Sequence, residues 1–282
     1  MPNCLSVKIV SMNNIVTVIG AFGFLGSNIV SFFKKKNYFV IEINKDTAFD
    51  LTINYGIIFY CAGVAVDFQS RVFDTIDAHV MQLRVWLEKI KFDKFIYMSS
   101  ARMYMGQEDS SEDKDLYIIN KNDIYNQTKM MGELVCLSSK RPVVILRVSN
   151  VVGYDENSPY FLWSIFREAK LKQNITVQES SISVRDYVLL ADFLFLLQKI
   201  TVCSIEGIYN VASSVNINHL KLASIVNKHC VCKWTYGEKT VTYPIICNEK
   251  IKKDLFFHFS DPHEFIDNLF HQYTIGRENN DN

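Results

Sequence analysis

Six short runs of mostly apolar residues limit what this chain can become more than any other feature. They are IVTVI (15–19), YFVIEI (38–43), GIIFYC (56–61), KFIYM (94–98), VVILRV (143–148) and GIYNVA (207–212). Apolar residues occupy both alternate positions of most runs, the pattern of strands covered on both faces in a parallel sheet. Longer segments with helical spacing separate most of them; Val80, Leu83, Leu87 and Ile90, for instance, share one helical face. Strand alternating with helix predicts an α/β fold with right-handed crossovers. Only about a dozen residues separate the second run from the third, which predicts a loop or single turn there instead of a full crossover helix. Past residue 153 the pattern is irregular, with NSPYFLWSIFREAKLKQ helical and NITVQ extended. Residues 1–153 and 188–212 are therefore expected to form the parallel-sheet domain, and 154–187 with 213–282 a smaller region beside it. The first 14 residues read as an unpatterned leader and the final GRENNDN as a frayed tail.

Charge and composition exclude several classes of partner. Among 282 residues, 49% hydrophobic, thirty basic side chains cancel thirty acidic ones. That balance removes the electrostatic footprint of a protein for long nucleic acid or an anionic membrane surface, and leaves a small-molecule site. No apolar run approaches the ~20 residues of a membrane span, and no secretory signal pattern opens the chain. The seven cysteines are odd in number and scattered, mostly within apolar runs, as free thiols in a reducing compartment are, so a cytoplasmic location is expected. Cys230 and Cys232 stand close beside His229 but lack a second ligand pair at zinc spacing, so packing is expected and no metal. The six histidines (79, 219, 229, 258, 263, 271) show no triad or metal spacing and read as surface or packing residues.

The segment IVTVIGAFGFLGSNIVSFFKKKN places Gly20, Gly23 and Gly26 directly after a strand and directly before an amphipathic helix. A turn this tight needs glycine where φ is positive or where a side chain would keep a pyrophosphate from the helix N-terminus, whose amides and dipole favour an anion. A dinucleotide is the expected ligand. Lys34, Lys35 and Lys36 close that helix, where cations complement its dipole.

A second pattern lies in DIYNQTKMMGE (123–133), which sets Tyr125 and Lys129 four residues apart on one helical face. The G-x-x-G-x-x-G spacing together with Tyr-x-x-x-Lys resembles the short-chain dehydrogenase/reductase superfamily. YMSSARMYMG (97–106) resembles the Ser-Ser-x-x-Val-Tyr-Gly segment of its extended branch, the nucleotide-sugar epimerases, dehydratases and reductases. ILRVSNVVG (145–153) is similar to that branch's Arg-x-x-Asn-x-x-Gly, SVRDYVLLAD (183–192) to its Arg-Asp-Tyr-Val element, and IYNVAS (208–213) to a later strand. Met105 stands where the branch has glycine, with Gly106 one place late.

The resemblance implies a Rossmann-type doubly wound parallel sheet with a smaller, mostly C-terminal substrate-binding region. It implies that Tyr125 is the acid/base, with the Lys129 ammonium lowering its pKa from the usual value near 10, and that Ser100 bonds the substrate oxygen. By the same likeness Gly20, Gly23, Phe24, Leu25, Gly26, Asp50, Leu51, Cys61, Ala62 and Gly63 line the cofactor, together with Tyr125 and Lys129. Ser100, Ala101, Arg102 and Asn150 would face a nucleoside-diphosphate sugar and Arg185 clamp its phosphate, the alternative being an Arg185–Asp186 ion pair. At the end of the second strand Asn44 stands where an NAD enzyme of this branch carries Asp, followed by Lys45, which leans toward NADP with NAD possible; Glu42 or Asp46 could supply the acid in a shifted register. Ala101 and Arg102 replace the acidic pair that a dehydratase needs. The expected reaction is reduction of a nucleotide-linked 4-keto-6-deoxy-hexose for surface polysaccharide. Epimerisation through a transient ketone is the alternative, and a non-catalytic cofactor sensor or scaffold a second one. Members of the branch often dimerise through the helices here at roughly 73–91 and 122–139, where Trp86 and Met131 are read as facing outward.

Overall fold

The computed structural model describes residues 14–45, 47, 50–117 and 120–276. Asp46, the proposed leader up to residue 13 and most of the tail lie outside these residues. All six apolar runs are strands: β1 (Ile15–Ile19), β2 (Phe39–Ile43), β3 (Ile57–Tyr60), β4 (Lys94–Ser100), β5 (Val143–Val148) and, after three intervening strands, β9 (Gly207–Val211). They form one parallel sheet in the order β2-β1-β3-β4-β5-β9. Every residue of central β4 and β5 is buried, whereas edge strand β2 is mostly only part-buried. This explains why the central runs read as continuously apolar.

The helices α1 (Phe24–Lys35), α2 (Val72–Ile76), α3 (Gln82–Lys89), α4 (Ile124–Ser138), α5 (Phe161–Lys172) and α6 (Leu190–Val202) follow the strands in chain order. On one face α1 and α6 bury Ile29, Phe33, Phe193 and Leu197 against Val16, Phe59, Ile96 and Leu146. On the other, Leu83, Trp86 and Leu87 cover Ile58, Phe95 and Ile145, each such aromatic or aliphatic side chain stabilising the fold by about 1.5–3 kcal/mol. Trp86 does not face outward as expected. It is 2% exposed and meets Tyr55 edge-on at 5.2 Å, because a side chain one turn before Ile90 shares the buried face. The helix around it is interrupted by a π-helical turn, Asp77–Met81. The short β2–β3 connection carries no helix among its described residues, as its length predicted.

Three short strands, β6 (Asn150–Val152), β8 (Val184–Leu189) and β10 (Asn216–Asn218), make a second sheet. Strands β7 (Asn174–Glu179) and β11 (Lys233–Lys239) pair separately, beside α7 (His219–Asn227) and α9 (Pro262–Ile275). A separate core of Trp163, Phe166, Ile266, Phe270 and Tyr273 holds this part together. In β8, Tyr187 packs into the smaller core and Val188 into the larger, so the chain passes between the two cores there. One C-terminal element departs from the expected division. Helix α8 (Glu249–Leu255) sends Ile251 and Leu255 into the main core, because its two apolar residues lie on one face.

Strand order reverses between β1 and β3, with α1 packing on one face and α3 on the other. The crevice at the carboxyl ends of such a pair is where an open α/β sheet accepts ligands. Gly20 and Cys61 directly follow these two strands.

Candidate active site

At the end of β1 the chain turns into α1 with Gly20 at φ +81°. A Cβ on Gly20 would stand 2.8 Å from the Ala62 amide nitrogen, and one on Gly26 would stand 2.1 Å from the Gly20 carbonyl oxygen. Both positions admit glycine alone, because backbone occupies the space. Gly23 begins α1 without a side-chain cap, so the first-turn amides of Phe24, Leu25 and Gly26, which have no intrahelical acceptor, are available to an anion. This cradle fits a dinucleotide pyrophosphate, and Cys61, Ala62 and Gly63 form its opposite wall. Asp50 and Leu51 are exposed beyond the strand ends. Asn44 and Lys45, also exposed, follow β2; the Asn44 side chain accepts from the Thr47 hydroxyl at 2.7 Å. Glu42, the alternative acid, pairs with Lys34 at 2.6 Å.

Helix α4 begins at Asp123, whose carboxylate accepts from the Asn126 amide. Arg102 donates to both oxygens of that carboxylate, at 2.8 and 2.7 Å, and to Asn126 Oδ1 at 2.9 Å. The guanidinium so fixed lies 5.5 Å from the Tyr125 ring and 5.4 Å from that of Phe68. Sequence reasoning assigned Arg102 to substrate alone and passed over Asp123, although an Asp opening a helix is a readable capping signal. Burial raises the Tyr125 pKa, and a hydrogen bond from Ser100 and the charge of Arg102 oppose that rise.

The Lys129 ammonium donates to the Met98 carbonyl at 2.7 Å and lies 5.9 Å from the Tyr125 ring centre, and Arg102, 5.5 Å from that ring, is a second cation beside the phenol. Burial lowers Lys129 itself to about 8. Gly132, one turn on, lets α4 press against β4 and the π-turn: a Cβ there would meet the Tyr97 hydroxyl at 2.2 Å and the His79 carbonyl at 2.9 Å.

Ser100, Ala101, Arg102, Tyr125, Asn150 and Arg185 all line one cavity of about 360 Å³, whose wall also includes Phe24, Leu25, Tyr243 and Ile246. Asn150 and Ser149 both donate to the Asp186 carbonyl, each at 2.8 Å. Arg185 does not pair with Asp186. It reaches Glu179 at 2.6 Å and lies over the Phe161 ring at 4.6 Å, while the Asp186 carboxylate accepts from Ser213 and Val215. The reason is strand alternation, which sends consecutive side chains of β8 to opposite faces. Gly106, at φ +74°, takes the left-handed position one residue after Met105, so the late glycine carries the turn.

Beneath this floor runs a buried polar chain. Glu133 accepts from Ser99 at 2.5 Å and from Arg147 at 2.8 Å; Arg147 donates to the Tyr104 hydroxyl at 2.7 Å, and Tyr104 donates to Asn210 at 2.8 Å. It ties α4, which carries Tyr125, to the ends of β4, β5 and β9. His79 also escaped sequence reading. It is fully buried, with its ring edge-on to Tyr125 at 5.4 Å, and the available signal was its place four residues before Leu83 on the apolar face. No group of metal-binding side chains exists among the described residues, and Cys230 and Cys232 lie with their sulfurs 3.7 Å apart.

Comparison with known proteins follows the same outline. The model of the NAD dependent epimerase/dehydratase family matches residues 47–212. No curated relative matches by sequence. Among solved structures, UDP-glucuronic acid 4-epimerase from Bacillus cereus superposes with a TM-score of 0.77 at 18% identity, covering 92% of this chain and 98% of its own. Helicobacter pylori ADP-L-glycero-D-manno-heptose-6-epimerase gives 0.72 at 20% identity, with 95% and 99% covered. UDP-glucose 4-epimerase from Thermotoga maritima gives 0.71 at 16% identity, with 92% and 98% covered.

Proposed function

The chain belongs to the NAD dependent epimerase/dehydratase family, and from that premise we propose that it epimerises a nucleoside-diphosphate sugar through a transient ketone. The observation that carries this reading is the convergence of Ser100, Arg102 and Tyr125 on one cavity beside the glycine cradle. The nicotinamide of a dinucleotide whose pyrophosphate lies in that cradle would supply the hydride chemistry. Tyr125 takes the proton from the sugar hydroxyl and returns it to the ketone, and Ser100 bonds the same oxygen as its charge develops. Lys129 holds the ribose of the cofactor. Arg185, drawn from Glu179, meets the diphosphate, whose bidentate oxygens suit its fork. Ala101 and Arg102 offer no acid to expel water, which argues against dehydration. The named epimerases among the structural neighbours support the same reading, with UDP-linked sugars the first to test.

A second reading is net reduction of a 4-keto-6-deoxy-hexose nucleotide with NADPH. Its support is the end of β2, where Asn44 and Lys45 stand at the expected ribose position and Glu42 is held by Lys34. We also propose a homodimer through α4 and the neighbouring helices, supported by Met131, Leu134 and Leu137, which are about half exposed along α4, and by Phe73, which is 86% exposed.

Proton NMR of UDP-sugars incubated with the protein and catalytic NAD distinguishes the readings. A new epimer without net consumption of nicotinamide supports epimerisation; stoichiometric NADPH oxidation with a 4-keto sugar supports reduction. Tyr125→Phe should abolish either reaction while cofactor still binds. Full turnover in that variant, or no reaction with any sugar nucleotide, would sink the enzyme reading in favour of a sensor or scaffold.

A further inference from the structure

The guanidinium of Arg102 is bonded at one nitrogen and free along the edge opposite it. Nη1 donates to both carboxylate oxygens of Asp123 and to Asn126 Oδ1. Nε and Nη2 have no acceptor among the described residues. They form the side-on edge of the guanidinium, two parallel donors that match the two oxygens of one carboxylate. Phe68 and Tyr125 lie against the same group, their ring centres 5.4 and 5.5 Å from its central carbon. With Nη1 anchored and two rings beside it, the free edge is held in place before a ligand arrives.

The cavity around it suits an anion. Arg102 and Arg185 both line it, and Arg185 is the group proposed to meet the diphosphate. Tyr243 is on the same lining; burial raises its pKa and the charges of Arg185 and Arg102 both oppose that rise, so its hydroxyl lies in the field of both. Asp186 is the acidic residue among the described lining residues, and its carboxylate accepts from Ser213 and Val215. The Asp123 carboxylate is turned to Nη1 and to the Asn126 amide, so the guanidinium would separate it from a second anion. A sugar hydroxyl would satisfy one donor of the free edge, whereas a carboxylate satisfies both.

We propose that Arg102 is a specificity-determining residue whose Nε–Nη2 edge receives a carboxylate carried on the sugar ring next to the reacting carbon, which makes nucleoside-diphosphate uronic acids the substrate class. The inference rests on the epimerase reading and narrows it. It is distinct from the effect of the Arg102 charge on Tyr125, which acts on acidic and neutral sugars alike; the fork discriminates between them.

The test compares UDP-glucuronate with UDP-glucose, a carboxylate against a hydroxymethyl group, in the parent, Arg102→Met and Arg102→Lys, each with NAD. Calorimetry gives the affinities and proton NMR the epimerisation rates. The parent should favour UDP-glucuronate by about a hundredfold, the effect of a charge-assisted bidentate pair. Arg102→Met should remove that preference while slowing both sugars. Arg102→Lys should recover turnover but little of the preference, because an ammonium keeps the charge without the fork. Equal ratios in the parent and Arg102→Met, or a parent that favours UDP-glucose, overturn the inference. If Arg102→Met does not fold, NMR of the Arg102 Nε–H in the parent decides: a downfield shift with UDP-glucuronate and not with UDP-glucose supports the pairing, and the same response to both overturns it. Binding of neither nucleotide sugar instead defeats the epimerase reading, and the inference with it.

Discussion

Replacing Arg102 by Met tests whether the electrostatics of the site work as its geometry implies. The guanidinium lies 5.5 Å from the Tyr125 ring, where a full charge at an effective dielectric of about 20 interacts with a phenolate by about 3 kcal/mol. The side chain is 31% exposed and already paired with Asp123, which screens it and leaves about 1 kcal/mol. Loss of Arg102 also leaves the Asp123 carboxylate, 5% exposed, without its cation near the phenol. Together these amount to about one pH unit. The sign follows from the charge removed: a lost cation disfavours phenolate, so the pKa of Tyr125 rises further. Proton abstraction from the sugar needs phenolate, so its pH–rate limb should move about one unit to higher pH, and the rate at neutral pH should fall about tenfold. Single-turnover reduction of bound nicotinamide across a pH series reads that limb directly. Arg102→Lys, which keeps the charge, should move it less. A limb that stays in place in Arg102→Met, with α4 still folded, refutes the assignment of Arg102 as the tuning cation.

Gly26→Ala puts a methyl 2.1 Å from the Gly20 carbonyl, so the cradle must open; nicotinamide binding should weaken at least about a hundredfold while circular dichroism keeps its α/β signature. Arg147→Met strands the Glu133 carboxylate, 7% exposed, at a cost of about 3–5 kcal/mol, which for a chain of this size lowers the melting temperature by about 5–8 °C. The double variant Glu133→Leu with Arg147→Met should lose less than Arg147→Met alone, and an equal or larger loss contradicts the stranded-charge account. Leu134→Glu, at a position 56% exposed on α4, should convert a dimer to a monomer in sedimentation velocity, and an unchanged mass excludes α4 as the interface.

The parallel sheet was legible because burial on both faces writes itself into consecutive residues: β4 and β5 are buried at every position, and a run apolar on both parities has few other solutions. The glycine cradle was legible because Gly20 takes a positive φ in a tight turn and Gly26 packs against the Gly20 carbonyl a few residues back. What escaped depends on contacts distant along the chain. Trp86 looked like an interface residue because periodicity over one helix cannot say that Tyr55 covers it. Arg185 beside Asp186 suggested an ion pair, but β alternation separates them, and its partner Glu179 lies on another strand. His79 carried only the signal of a polar residue on an apolar face, which most buried histidines also carry; its contacts with Thr128 and Tyr125 join residues far apart in sequence.

With the roles proposed for Arg102 and Lys129, one helix would serve two tasks at once. Asp123 caps α4 and binds Arg102, which lines the cavity with Tyr125, so the charge that would favour phenolate sits on the proposed sugar site. Lys129, one turn on, donates a hydrogen bond to the Met98 carbonyl and lies beside Gly63, where an added Cβ would stand 3.6 Å from its Nζ. The ion pair of Glu133 and Arg147, a further turn along, fixes the helix to the sheet ends. In the proposed reaction each turn of α4 would thus serve a different layer: substrate, cofactor, scaffold. A small rotation of this helix would disturb all three, and Gly132, with Tyr97 and the His79 carbonyl close against it, sets the rotation by contact with backbone and ring. The four-residue spacing of Tyr125, Lys129 and Glu133 is therefore one demand and not three, because one face of one helix must reach all three layers at once.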